Sequence, residues 1–338
     1  MVFVCFYLLI FEFYILYQEN PVSDPAAAKF RSGLVFGLIA YSWWGLVPLY
    51  FSALQAFGMP AKEILAHRIV WSLPIMIAIT AVVGGWSDLF RVLRNRKLVL
   101  TLLLSSVLLA INWLLYIYAT VTNRVPEASL GYYMMPLVNA ALATVFLGER
   151  LRPAHYPALA LVAIGVAIPC IAGGYFPWLA ISLTVSFGCY GVVRKQVAVE
   201  SITGLTIETL LMLPVSLVFL GYLWSINENH MGQELGLSAL IAFSGIVTVV
   251  PLLTFTLSIR RLPLLAVSFI QFLSPTIQLI LAVVVLNHAV EEGFPAAFVC
   301  VLAAVLIFVG DALWQARARK RQVRLYSPVG SKIAAVTR

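Results

Sequence analysis

Apolar residues run along this chain in long blocks with short polar separators, and the blocks define the elements. A helix that crosses a bilayer needs about 20 predominantly apolar residues. Measured against that length, ten blocks follow residue 30, at 32–53, 61–84, 98–119, 128–147, 153–172, 177–193, 205–225, 237–258, 263–286 and 295–314. The separators hold helix breakers, among them Gly58 with Pro60, Gly148, the Gly173-Gly174 pair and Pro263. Alternation of period two does not organise the sequence, so a β-barrel is not expected. The pattern predicts an all-α polytopic membrane protein with ten transmembrane helices. Residues 1–30 precede that set. Their apolar stretch, residues 1–18, lacks the positive start and small-residue cleavage site of a signal peptide, and Glu12 interrupts it. It is read as an N-terminal extension, either non-native or an extra hydrophobic helix.

Composition strengthens this reading. Of the 338 residues 62% are hydrophobic and 11% charged, with mean hydropathy +0.97, against about 45–50% and about 25% in soluble domains. A water-exposed fold could not hide that much apolar surface, which excludes a soluble enzyme, a nucleic-acid-binding domain and a disordered chain. The net charge of +8 does not point to nucleic acid, because the basic residues sit in clusters between apolar blocks. With the first helix starting inside, 19 of the 22 Lys and Arg fall on the inner side, including Arg91 to Lys97, Arg194, Arg260, Arg261 and the tail from Arg317. That asymmetry places the C-terminus in the cytoplasm. Cys5, Cys170, Cys189 and Cys300 lack metal or redox spacing and read as small buried hydrophobes.

The ten blocks divide into two sets of five related in sequence. Ser129 to Asn139 aligns with Ser268 to Gln278 at an offset of 139, and Arg68 to Pro74 aligns with Glu208 to Pro214 at 140. Trp44-Gly45 aligns with Tyr190-Gly191 at 146. Five is odd, so such halves cross the membrane in opposite senses, the inverted-repeat plan of secondary transporters.

The same residues carry a family resemblance. Ala40-Tyr41-Ser42-Trp43-Trp44-Gly45, Glu63-Ile64-Leu65-Ala66-His67-Arg68, Asn112-Trp113-Leu114-Leu115 and Leu147-Gly148-Glu149-Arg150 resemble the RarD branch of the EamA transporters, in the drug/metabolite transporter superfamily. Tyr190-Gly191-Val192-Val193-Arg194-Lys195, Ile207-Glu208-Thr209-Leu210, His230-Met231-Gly232-Gln233 and Gly245-Ile246-Val247-Thr248 continue the likeness, which covers roughly Arg31 to Arg317. It implies two EamA repeats, residues 31–173 and 174–316, followed by a basic cytoplasmic tail, 317–338. It also implies a bacterial inner membrane, export or exchange of small molecules, and a chloramphenicol-sensitivity phenotype. One departure is Asn287-His288, where the family carries Gly-Glu after the ninth helix, so that end is expected to be held differently.

Polar groups inside the blocks are the candidate machinery, because a charge at mid-bilayer costs about 2.5–3.5 kcal/mol. Glu63 and His67, at i and i+4, share a helix face and with Arg68 form a candidate gate or proton-sensitive site. Glu63 or Glu127 is the expected partner of Arg68, and Arg194, Arg260 or Arg261 that of Glu208; Asp311 is expected to anchor against the basic tail. Glu63, His67, Arg68, Glu127 and Glu208 are thus the gating or coupling candidates. The substrate is expected between helices four and nine, where Tyr132, Pro136 and Asn139 share one face and Gln271, Pro275 and Gln278 repeat the spacing. Trp44, Asn112, Trp113, Tyr133 and Tyr190 complete that candidate site, with interhelical bonding as the competing role for the amides. Proton coupling is allowed by His67 and the carboxylates but not required.

A secondary transporter working by alternating access is the expected function. The rival is a polytopic membrane enzyme or scramblase acting on lipid-linked substrates. Against it, no HExxH, GxSxG or aspartate-rich metal motif occurs, and no phosphate-binding G-x-x-x-x-G-K-[ST] loop. Neither catalytic residue, metal nor cofactor is expected; the expected partners are a small-molecule substrate and the lipid bilayer, without nucleic acid.

Overall fold

A computed structural model of the chain describes residues 25–147, 153, 155–259, 261–262, 270–290 and 292–326. Every regular element among them is helical, and no strand occurs among the described residues. The helices are α1 (Pro25–Gln55), α2 (Ala61–Val82), α3 (Trp86–Leu93), α4 (Arg96–Val121), α5 (Val125–Leu147) and α6 (His155–Gly173). Then follow α7 (Trp178–Gln196), α8 (Ser201–Ser225), α9 (Leu235–Ala242), α10 (Ser244–Ile259), α11 (Leu273–Ile280) with a π turn over Leu281–Val285, and α12 (Phe294–Tyr326). Of the expected extension, residues 1–30, the first 24 lie outside the described residues and residues 25–30 form the start of α1.

Among the described residues, six spans are long and apolar enough to cross a membrane: α1, α2, α4, α6, α8, and α9 with α10 taken together. A seventh, α5, bends by 47° between Met135 and Leu137, where Pro136 cannot donate the usual helix hydrogen bond. The apolar parts of α7, α11 with its π turn, and α12 are shorter. The long helices are apolar on all sides, as a bilayer requires, and Val82, Val215, Val218 and Trp224 stand exposed on their outer faces. The chain is a multi-pass membrane protein.

Three details depart from the sequence pattern. The block 61–84 stops at Val82, and α3 follows as a short amphipathic helix in a stretch read as a basic loop, with Leu89 and Val92 buried and Arg91 on Asp88 at 2.8 Å. The block 237–258 breaks at Phe243 into α9 and α10. The last helix runs through Tyr326, into the segment read as a separate tail.

The packing is a set of helix pairs. α1 packs on α10 and α11, and α7 packs on α4 and α5. α2 packs on α8 and α10, α4 also touches α8, and α12 lies against α6 and α5. One core forms where α5, α6 and α12 meet around Leu130, Leu137, Phe294 and Phe298. A second forms between α1, α2, α4, α7 and α9 around Phe51, Leu54, Ile64, Ile117 and Leu183. Close approach needs glycine at two crossings. A methyl on Gly131 would meet the backbone of Ala180, and one on Gly245 would meet the Trp71 carbonyl.

Candidate functional site

Polar side chains of the interior lie in three layers. The first is at the end opposite the basic residues, where α2 and α5 begin. Glu63 is fully buried, and its carboxylate accepts from the His230 backbone N–H at 2.8 Å and contacts His230 Nδ1 at 2.7 Å. His67 Nε2 stands 3.7 Å from the same carboxylate. Glu63 therefore ties α2 to the loop before α9, which belongs to the other half of the chain. Beside it, Glu127 pairs with Arg124 at 2.6 Å, takes a hydrogen bond from Tyr175 Oη at 2.5 Å, and accepts from the Leu179 N–H at 2.9 Å. Arg124, Glu127 and Tyr175 line a cavity of about 410 Å³ that Leu286, Asn287 and His288 also line. There Asn287 adopts φ +51°, the left-handed conformation glycine would supply. His288 is buried, which holds its imidazole below the ordinary histidine range.

The second layer is Arg68, one helix turn deeper and 6% exposed. The sequence expected Glu127 or Glu63 as its partner; the structure corrects this, because both carboxylates are engaged elsewhere. Among the described residues no carboxylate lies within 4.0 Å of Arg68. Its Nε donates to Thr248 Oγ1 at 2.7 Å, and its guanidinium carbon sits 4.2 Å from the centre of the Trp113 ring and 5.9 Å from that of Phe51. Tyr50, Tyr116 and Tyr132 lie within electrostatic reach, and the Tyr116 and Tyr132 rings stand edge to face at 5.5 Å.

The third layer is Glu208, also fully buried, seven residues into α8 as Arg68 is into α2. Ser105 Oγ donates to it at 2.5 Å, Tyr190 Oη at 3.3 Å, and Arg194 Nε is 3.7 Å away. Arg194 is one of the partners the sequence named. Its guanidinium occupies the space a side chain at Gly204 would need. Thr80 and Thr206 hydrogen-bond at 3.1 Å where α2 and α8 run antiparallel, which puts Arg68 and Glu208 about 15 Å apart along the shared axis at 1.5 Å per residue.

The other expected substrate residues divide between this axis and the packing. Trp113, with Ile69, Leu109 and Met212, forms a cluster against which Tyr190 packs, so a continuous line runs from Arg68 through Trp113 and Tyr190 to Glu208. Tyr132 faces Tyr116 near Arg68, and Trp44 packs on Tyr41 and Phe255 at 5.3 and 5.6 Å. Asn112 is a tie, donating from Nδ2 to the Leu183 carbonyl at 2.9 Å and Ser186 Oγ at 3.1 Å. Tyr133 is held in the α5–α12 core, hydrogen-bonded to Thr276 at 2.5 Å. Gln278 donates from Nε2 to the Trp44 carbonyl at 3.1 Å and to Ser274 at 3.0 Å. Asn139 is exposed, with its Oδ1 near Gly188 of α7, and Gln271 is half-buried at the start of the described part of its helix. The structure therefore does not bring Tyr132, Asn139 and Gln278 to one face, since the spacing argument assumed a straight helix and α5 bends between them. Asp311 stands 3.7 Å from His155, whereas the tail side chains it was expected to meet lie outside the described residues.

The sequence did not single out His230, Thr248, Tyr50, Tyr116, Ser105 or Tyr175 as site residues. His230 and Thr248 sat inside quoted motifs, and that was the only signal; their partners are 167 and 180 residues away.

Residues 31–169 match the EamA-like transporter family. The chain is 39% identical to Protein RarD of Salmonella typhi, over 87% of its own length and 99% of that protein. It is 38% identical to Protein RarD of Escherichia coli K12, over 86% and 98%, and 36% identical to the Uncharacterized transporter YojE of Bacillus subtilis, over 87% and 98%. A solved crystal structure aligns with 82% of this chain and 96% of its own at TM-score 0.54 and 19% identity, which speaks to the fold.

Proposed function

The chain belongs to the EamA-like transporter family, in its RarD-type branch, and from that premise we propose a secondary carrier that moves a small molecule by alternating access. That it is a membrane transporter of the drug/metabolite type follows from the family; the mechanism and the site are our reading. The observation that carries the mechanism is the pair of latches at opposite ends of the interior. At one end Glu63 of the first half holds His230 of the second, and at the other Glu208 of the second half holds Ser105 of the first. Each latch must open for that end to admit a substrate, and the Arg68–Trp113–Tyr190–Glu208 line lies between them.

Ten spans in two inverted repeats fit this reading, with α9 and α10 as one span, α11 with its π turn as another, and α3 outside the membrane. Exchanging each span with the one five places on converts the α1–α10 contact into α7–α4, α1–α11 into α7–α5, and α2–α10 into α8–α4, and all of these contacts are present. The α2–α8 and α6–α12 pairs map onto themselves. Packing that survives this exchange supports an inverted repeat over residues 31–173 and 174–316. The bias of basic residues supports a cytoplasmic location for both ends of that set, and the bacterial relatives support an inner membrane. Glu63, His67, Glu127 and Glu208 are the gating or coupling groups, and Trp44, Trp113, Tyr132 and Tyr190 wall the passage.

Counterflow in proteoliposomes tests this. Vesicles preloaded with a metabolite that accumulates in cells lacking the protein, or with chloramphenicol, should take up labelled tracer of the same compound transiently against its gradient. Downhill equilibration without that overshoot, for every compound tried, indicates a pore or scramblase, and chemical conversion of the tracer indicates an enzyme.

A further inference from the structure

The least expected group in the interior is Arg68. A guanidinium removed from water is stable only when its donors are answered, and an unpaired buried charge is normally avoided. Here the carboxylates within reach along the chain are already committed, Glu63 to His230 and Glu127 to Arg124 and the α7 N-terminus. Among the described residues the only hydrogen bond from the Arg68 side chain leaves Nε for Thr248, and its two terminal nitrogens, which are not among the fully buried unpartnered atoms, are left to face accessible space. Two polar atoms in the same neighbourhood are buried and unpartnered, Tyr116 Oη and Ser244 Oγ. Tyr116 is 7% exposed and within electrostatic reach of Arg68; Ser244 is 1% exposed, one turn before the Thr248 that holds Nε. The guanidinium can only donate, whereas the two hydroxyls can donate or accept, so the cluster carries a surplus of donors and one positive charge.

We propose that Arg68 is the receptor for an anionic group on the transported molecule, and that this group is a carboxylate. This rests on the carrier reading above and supplies its substrate class. The planar fork of the guanidinium matches a carboxylate in two parallel hydrogen bonds. The cluster offers one permanent positive charge, which balances a monoanion, whereas a phosphate dianion would be left half-neutralised. Trp113 covers one face of Arg68, and the Tyr116–Tyr132 pair supplies a wall for a small flat or apolar body. In this arrangement Arg68 is a substrate-binding residue and not half of an ionic gate, which explains why neither gate carboxylate reaches it.

The test uses the purified full chain and three small monocarboxylates, benzoate, indole-3-acetate and hexanoate, each paired with its neutral primary amide. Binding is read as a saturable rise in melting temperature together with tryptophan quenching. At least one acid should bind tenfold or more tightly than its amide. Arg68→Met should abolish that preference while leaving the melting temperature of the free protein unchanged or raised, since an unanswered charge has been removed. Arg68→Lys should weaken acid binding several-fold through loss of the fork. If every acid binds no better than its amide, or if Arg68→Met keeps the preference, the proposal is overturned. Should Arg68→Met fail to fold, Arg68→Lys and Thr248→Val carry the same comparison, and acid binding at wild-type strength in both overturns it equally. Carrier and anion site fail separately. Acid binding without counterflow removes the carrier reading alone, and counterflow of chloramphenicol with no acid preference removes the anion site alone.

Discussion

Gln278 shows how a residue chosen as a ligand turns out to mend a helix. Pro48 in α1 has no N–H, so the Trp44 carbonyl one turn earlier loses its helix partner. The Gln278 amide donates to that carbonyl at 3.1 Å, from a different helix. Gln278→Ala should therefore lower stability by about 0.6–1.7 kcal/mol, the range for interhelical bonds in membranes. Pro48→Ala restores the missing N–H, so the same Gln278→Ala change should cost much less in that background. A double-mutant cycle on thermal melting checks this, and equal costs in both backgrounds would refute it. Gly204 gives a second residue-level expectation. Alanine there would occupy the place of the Arg194 guanidinium, so Gly204→Ala should detach Arg194 from Glu208 and lower transport; Gly221→Ala, on the same helix with open space around it, should not.

At the scale of elements, the hydrophobic blocks were legible because bilayer thickness imposes one length on every span, and each block overlaps a described helix. Breaks inside a block were not, since neither the divided α9–α10 segment nor the π turn after Ile280 carries a charged residue to mark the break. The short helix α3 was missed because its basic residues suit both a loop and a polar helix face. The site was legible where partners lie a helix turn apart, as with Glu63 and His67, and illegible where they come from the other half, as with Glu63 and His230. The Asn287 departure is resolved at this scale. Asn123, Asn227 and Asn287 all take positive φ just past a helix, at 60°, 57° and 51°. Asparagine there does the backbone work of a glycine, and the carbonyl of Ala282 accepts from the His288 N–H at 2.8 Å. Asn287→Gly should be tolerated and Asn287→Val should cost about 1–2 kcal/mol, the left-handed penalty that the short polar side chain of asparagine offsets and a β-branched one does not. A melting series over these variants decides it, and equal stability of the Gly and Val forms would show that the turn is not strained by side-chain shape.

The whole molecule works as a carrier only if its two ends do not open together. In the orientation we propose from the basic clusters Arg94 is cytoplasmic and Asn123 outside, and both are exposed at opposite ends of α4. Cysteines placed there should label with an impermeant maleimide in intact cells at position 123 and not at 94; the reverse pattern would invert the molecule. Given that orientation, the Glu63–His230 latch closes the outer end and the Glu208–Ser105–Arg194 latch the inner one. Neutralising one latch leaves its half-buried partner, His230 or Arg194, without the facing carboxylate, a loss bounded above by the ~3–5 kcal/mol of fully buried pairs. A bias approaching that bound is enough to shift a two-state equilibrium by about two orders of magnitude. A reporter cysteine at Ala110, half-buried against the Trp113 cluster between the latches, reads the result in a background with the native cysteines replaced by serine. Glu63→Gln should speed its labelling from outside and slow it from inside, and Glu208→Gln should do the opposite. The two latches act on different faces, so their effects must differ in sign; if both substitutions open the same face, the ends are not alternately gated and the carrier mechanism fails, whatever the substrate.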